Sequence, residues 1–286
     1  MKLFRSAGIL AAAAVLLAAP AFAQTGNAYY SQQRGMDERF FISLGGFFQT
    51  FDTTLSLANA AGTVGTSINL EDLGQDTRKT SFAADGYWRF GRHGRLDFAY
   101  RGWSRAASHK LDKDIVVGDT TYHAGAQIDN RMRSNVGDLY YSYSFVNNGD
   151  LEFGLGLGFS VYFNSFEISG SGSVSGGSGG GGSVSFSTEG RNSVAPIPAL
   201  KAYFSYALYP RVFLKAAGKG ISGTVDGYHG EMWDFRGGID WLISQNVGVG
   251  GMYQYTTINF SHTGEKGDVA FDYKYSGPLA YVIFAF

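Results

Sequence analysis

Along the chain, large apolar residues recur at every second position. From Leu151 to Phe163 each odd position is a large apolar residue and each even one is small or polar. A period of two places successive side chains on opposite faces of an extended strand, so this stretch predicts a β-strand with one apolar face. The same alternation sets Phe82, Ala84, Gly86, Trp88 and Phe90 against Ser81, Ala83, Asp85, Tyr87 and Arg89. It returns with Leu96, Phe98 and Tyr100 against Arg95, Asp97 and Arg101, and with Trp233, Phe235, Ile239 and Trp241 against Asp234, Arg236 and Asp240. A soluble sandwich alternates in the same way with its apolar face inward, so the period alone does not say which face meets water.

The connections decide between the two. Four are tight and rich in turn formers: Gly91 to Gly94, Asn147 to Asp150, Tyr209 to Arg211 and Ser244 to Asn246. Five are long or polar, at about 58–79, 108–131, 169–192, 222–230 and 262–269. Long and short connections alternate strictly. That is the layout of an antiparallel transmembrane β-barrel, with short turns on the periplasmic side and long loops outside. The predicted strands run approximately over 39–55, 80–90, 95–107, 132–146, 151–168, 193–208, 211–221, 231–243, 247–261 and 270–286. Each is long enough for a tilted strand, which needs about 9–11 residues to cross the hydrocarbon. The expected fold is thus all-β, with ten strands. Eight or twelve are the alternatives, twelve if the apolar Ile115-Val116-Val117 and Thr120-Thr121-Tyr122 formed a transmembrane hairpin rather than an extracellular one.

The first 23 residues read as a secretory signal peptide: Lys2 and Arg5, then an apolar run from Ala7 to Ala19, then the small-x-small site Ala21-Phe22-Ala23. Residues 24–38 follow as a short periplasmic tail, and 39–286 form the barrel domain. Composition narrows the function classes. A net charge of −1 leaves no electrostatic footprint for nucleic acid. The absence of Cys removes disulfides, thiolate metal sites and cysteine nucleophiles, and neither metal nor cofactor is expected.

The chain ends Leu279-Ala280-Tyr281-Val282-Ile283-Phe284-Ala285-Phe286. This resembles the terminal-strand signal of bacterial outer-membrane β-barrel proteins, with a final Phe and apolar residues at every second position before it. The resemblance covers 39–286 and implies that Phe286 is read by the barrel-assembly machinery and that the protein resides in the outer membrane of a Gram-negative cell, against lipid and lipopolysaccharide. Residues 68–74 with Tyr87-Trp88-Arg89-Phe90 and Arg95-Leu96-Asp97-Phe98 resemble small, poorly characterised proteobacterial members of that class. Trp88, Phe90, Tyr143, Phe145, Phe153, Tyr206, Trp241, Phe284 and Phe286 all fall near predicted periplasmic ends, as an aromatic girdle requires.

The face opposite the apolar one then lines the lumen. It carries Asp85, Arg89, Arg95, Asp97, Arg101, Arg105 and Asp138 on the first half of the chain. Glu152, Lys201, Lys215, Lys219, Asp234, Arg236 and Asp240 follow on the second. Both signs are intermingled, and confined charges are costly unless paired, so a cross-barrel charge network is expected, either structural or lining a narrow pore.

Candidate catalytic groups are few. His109, His123, His229 and His262 fall in predicted extracellular loops and His93 in a periplasmic turn. Omptin-type proteases are also ten-stranded barrels with an Asp/His set at the extracellular rim, which makes His229 near Asp226, or His262 near Asp268, the residues to name; no matching motif surrounds either. Ser261 and His262 are adjacent in a strand and would face opposite ways. The Gly/Ser-rich segment 169–187 lacks the Lys-Ser/Thr ending and following helix of a phosphate loop and reads as a flexible extracellular loop. Acids at Glu71, Asp72 and Asp76, or at Asp112, Asp114 and Asp119, do not have calcium-loop spacing. The expected protein is a non-enzymatic outer-membrane barrel, structural or a narrow channel for small solutes. A rim-located hydrolase and a surface adhesin displaying the 169–192 loop are the rival classes.

Overall fold

The computed structural model describes residues 38–57, 68–69, 71–72, 74–112, 114–117, 120–175, 182–225, 228–262 and 269–286. The predicted signal peptide, the tail as far as residue 37 and the glycine run 176–181 lie outside the described residues. Ten long strands make the wall: β1 Phe40–Leu57, β2 Arg78–Phe90, β3 Gly94–Lys110, β4 Gln127–Asn147 and β5 Leu151–Ser175. The second half is β6 Gly182–Tyr209, β7 Val212–Val225, β8 Tyr228–Leu242, β9 Val247–His262 and β10 Val269–Ala285. Every strand pairs antiparallel with its neighbours in sequence, and β1 pairs with β10 in the register Phe41↔Ala285 to close the barrel. Closure pairs the first strand with the last, so the sheet has no terminal edge, as a lipid-exposed sheet requires. At the seam the Phe286 carbonyl accepts from the N–H groups of Arg39 and Phe40, and its own N–H donates to the Phe40 carbonyl, at 2.8 to 3.0 Å.

The tight turns fall where turn chemistry placed them. Gly91 and Gly149 adopt φ of 76° and 93°, the left-handed region that glycine enters without penalty. The long connections differ from expectation in one respect. The described parts of the segment 169–192 are strand and not loop: strand structure continues to Ser175 on β5 and is present from Gly182 on β6, with Ser169↔Ser187 and Val174↔Gly182 paired. The connection at 222–230 is likewise mostly strand, since β7 runs to Val225 and β8 starts at Tyr228. Ile115–Val117 and Thr120–Tyr122 do form a small hairpin, but it pairs onto Val174 and Ser175 of the β5 extension, outside the wall, so the count stays at ten. A further short strand, Ile68–Asn69, lies on β1.

The two faces sort as alternation requires. Leu155, Leu157, Leu200, Trp88, Trp241, Phe145 and Phe286 are exposed on the outer face, a large apolar surface that only hydrocarbon and headgroups can cover. Inward positions are buried or half-buried. On β5 the inward residues Gly154, Gly156 and Gly158 are small because a Cβ at Gly154 would sit 2.3 Å from the Tyr203 hydroxyl and one at Gly158 2.1 Å from the Leu139 carbonyl. Small residues on one strand thus make room for the rings of its neighbours, as the interior of a narrow barrel demands.

Candidate functional site

The lumen gathers every charged residue assigned to it. Near the periplasmic end, Glu152 of β5 is the centre. Arg89 of β2 donates to both of its oxygens, at 2.9 and 3.0 Å, a bidentate pair that reaches across two strands. Arg95 of β3 stands 3.4 Å away and Ser144 of β4 donates at 2.6 Å. Arg95 also meets Asp97 at 3.0 Å and lies over the Tyr203 ring, 3.5 Å from its centroid. Asp97 in turn takes Lys201 of β6 at 3.1 Å and the Ser142 hydroxyl. Across the lumen Lys215 of β7 pairs with Asp240 of β8 at 2.8 Å, and the Tyr281 hydroxyl donates to the same carboxylate at 2.6 Å. Glu38, the last residue of the predicted tail, is buried here and accepts from the Tyr87 hydroxyl, so its side chain turns into the barrel mouth just before the wall begins.

At mid-height, charge crosses the barrel. Asp85 of β2 accepts from Arg101 of β3 at 2.8 and 3.1 Å and from Arg236 of β8 on the far wall. Lys219 of β7 donates to Asp138 of β4 at 2.6 Å and to Ser160 at 3.1 Å, and Arg101 stands 3.7 Å from Asp138. Asp234 accepts from Gln254 and Thr256 at 2.5 and 2.6 Å. Among the small spaces that remain are a cavity of about 80 Å³ bounded by Asp85, Arg95, Lys201, Lys215 and Asp240, and one of about 20 Å³ beside Asp138, Tyr140 and Lys219.

Above this level apolar side chains gather in the lumen in two clusters, which was not anticipated, with buried polar residues such as Gln49, Ser134 and Thr256 among them. Phe47, Phe51, Trp103, Met132, Tyr273 and Tyr275 pack as one cluster. Val136, Tyr140, Tyr162, Ala199 and Met232 form another, with Ile197, Ile221 and Ile258 against it. The only signal in the sequence was the aromatic content itself, since adjacent aromatics such as Phe47 and Phe48 hide which of them points in. Arg105 caps the first cluster, 4.3 Å over the Phe51 ring, and is held by Thr53 at 2.9 Å and by Glu71, which the first extracellular connection folds inward, at 2.6 Å.

The rim candidates are not assembled. His229 contacts the Thr224 hydroxyl at 2.9 Å; Asp226, Asp268 and the side chain of His262 lie outside the described residues. His93 contacts the Ser144 carbonyl at 2.8 Å on the periplasmic side. An acid and imidazole that sequence reasoning did not pair, Asp114 and His123, meet at 2.9 Å in the small outer hairpin. The Ala124 N–H and His123 hold the exposed Asp114 carboxyl below its usual range. No group of three or more His, Asp or Glu able to hold a metal occurs among the described residues.

No protein-family model matches the chain, and no curated protein matches its sequence. Solved structures do match. The outer-membrane protease OmpT from Escherichia coli superposes with a TM-score of 0.53 at 12% identity, over 90% of this chain and 99% of that one. OprG from Pseudomonas aeruginosa matches at 9% identity and a TM-score of 0.38, over 87% of this chain and 97% of that one. Ail of Yersinia pestis, solved with the heparin analogue sucrose octasulfate, matches at 11% identity and 0.31, over 86% and 99%. At such identity the OmpT match speaks for a shared barrel fold and for nothing about chemistry.

Proposed function

We propose that this chain, a ten-stranded β-barrel of the bacterial outer membrane, is a structural, non-enzymatic membrane protein whose lumen is sealed by its own side chains. The observation that carries the reading is the mid-height bridge from Arg101 through Asp85 to Arg236, which joins neighbouring strands β2 and β3 to β8 on the far side. Beside it Lys219 and Asp138 close the gap between β7 and β4. Each of these acids is matched to a base within the protein, which suits a network that holds walls together rather than one awaiting a substrate. The partners of such a barrel are outer-leaflet lipid, lipopolysaccharide and, during assembly, the machinery that reads Phe286.

A narrow channel is the second reading, favoured by the 80 Å³ cavity with its charged lining just below the bridge. Conductance across a planar bilayer separates the two. The refolded wild type should be silent, and Arg101→Ala, which removes the residue that links Asp85 to Asp138, should raise conductance above wild type. Steady ohmic current through the wild type would overturn the sealed reading and leave the channel.

A further inference from the structure

The wall is not paired to the same height everywhere. Between β6 and β7 the ladder runs from Tyr209↔Val212 to Leu200↔Gly220 and stops. Neither strand ends there. β6 runs on upward through Pro198 and Pro196, paired only with β5, and β7 continues to Val225, paired only with β8. Ser222, Gly223 and Thr224 are exposed in succession, so both faces of β7 are open above the split.

Pro196 and Pro198 stand where the lost ladder would need donors. The Ala207 N–H donates to the Asp150 carbonyl at 2.8 Å, on the β5 side. Backbone groups alternate sides along a strand, and the β5–β6 register is unbroken from Tyr206 to Arg191, so the even residues 196 and 198 address β7. Proline has no N–H, and in sheets it is confined to positions facing no partner strand. Two donors that would have been left unpaired in lipid are thereby absent.

Counted from the turn at Pro210, the split opens after about ten residues, where a strand that needs 9–11 residues to cross the hydrocarbon reaches the outer boundary of the acyl region. On the β5–β6 side the outer surface there is apolar: Leu200 is 68% exposed, Pro196 and Pro198 are exposed, and on β5 Phe159 and Phe163 are 43% and 50% exposed, while the β7 side carries exposed Ser222 and Thr224. The inner surface at the same level is apolar as well, formed by Ile197, Ala199 and Ile221. Behind the split Tyr162 of β5 touches Met232 of β8, hydroxyl to sulfur at 3.4 Å, and so spans the gap from the inside.

We propose that the divergence of β6 and β7 is a lateral port that admits the acyl chain of a membrane lipid from the outer leaflet into the apolar upper lumen, with the Tyr162–Met232 contact as its bar. The reading adds a route through the wall above the mid-height bridge and does not depend on whether that bridge conducts.

The natural chain has no Cys, so single thiols report cleanly. Bimane is attached at Ile221→Cys, at the lipid-facing Leu200→Cys and at Ala83→Cys, an inward residue on β2. Each protein, its folding verified by heat-modifiable migration, is placed in phosphatidylcholine vesicles with brominated acyl chains. Quenching at position 221 should reach at least half that at 200 and exceed that at 83 several-fold. Quenching at 221 no greater than at 83 would overturn the port. If Ile221→Cys does not fold, Ile197→Cys reports from the other lip with the same two outcomes. Brominated palmitic acid added to unbrominated vesicles is the source control, and quenching by it alone would overturn a membrane lipid as the occupant. Pro196→Val with Pro198→Val restores both donors toward β7 and should bring quenching at 221 down to the level at 83. Unchanged quenching in that variant would place the chain's route elsewhere and overturn the port.

Discussion

Glu152 is the residue on which the periplasmic half of the network turns, and its removal should be among the costliest single changes in the barrel. Its side chain is 1% exposed and accepts from Arg89 twice, from Arg95 and from Ser144. In Glu152→Ala, Arg95 keeps Asp97 at 3.0 Å, whereas Arg89 has no other carboxylate within ion-pair distance among the described residues. One buried guanidinium is therefore left without its counter-charge, a situation that costs about 3–5 kcal/mol. Glu152→Gln keeps an acceptor but loses the charge and should fall between the variant and wild type. The double variant Arg89→Met with Glu152→Leu removes both charges in similar volume and should return to within about 1.5 kcal/mol of wild type, because replacing a buried pair by apolar groups is close to neutral. Urea titration of refolded protein in vesicles, followed by Trp fluorescence, measures all of these together with the single variants Arg89→Met and Glu152→Leu. Two results would refute the reasoning: a Glu152→Ala cost below about 1 kcal/mol, or a double variant whose cost equals the sum of its singles, since contacting residues in one network should couple strongly.

Three further outcomes are expected. Leu157→Arg places a charge on a lipid-facing site 64% exposed and should cost about 2–4 kcal/mol near the bilayer midplane, read by the same titration; no loss would mean the strand register is wrong. Deleting Phe286 removes the three seam hydrogen bonds between its backbone and residues 39 and 40 as well as the terminal aromatic, so cells should show the protein retained in the periplasm or degraded rather than heat-modifiable in the membrane. Deleting 171–183 removes the outer end of the β5–β6 hairpin, most of it beyond the β4–β5 ladder that ends at Gln127↔Ser171, together with Val174 and Ser175 on which the small outer hairpin pairs, and should leave the urea midpoint of the barrel unchanged.

The wall was legible because its chemistry is local. A strand with lipid on one side and a polar lumen on the other writes a period of two into the chain, as β5 does from Leu151 to Phe163, and turn formers mark the periplasmic ends. The inward parity of the charged residues followed from the same period. What remained hidden was set by pairing rather than by composition. Segments 169–175 and 182–192 are Gly- and Ser-rich, a poor strand composition, and are strands because each finds a partner in the other. Asp85 and Arg236 lie 151 residues apart and meet only because β2 and β8 face each other across the lumen. Glu38 and Glu71 read as tail and loop acids, yet both turn inward to a buried partner, Tyr87 and Arg105.

The network also has work to do that its net energy does not measure. Buried ion pairs give back in attraction roughly what they lose in desolvation, so their contribution to stability is modest. Their contribution to register is not. A slip of β3 by one residue would exchange its faces, turning Arg95, Asp97, Arg101 and Arg105 toward lipid and Leu96, Phe98 and Tyr100 into the lumen. Each Arg so exposed near the midplane would cost about 2–4 kcal/mol, and each carboxylate left behind would lose its partner. Several strands carry inward charges of their own, Arg89 and Asp85 on β2, Lys215 and Lys219 on β7, Asp234, Arg236 and Asp240 on β8, so the same penalty guards each of them. An apolar lumen would fill the space as well but would tolerate slipped strands, since an aliphatic residue is nearly as content against lipid as inside. The intermingled charges are thus the feature that makes one register of this barrel far better than its neighbours.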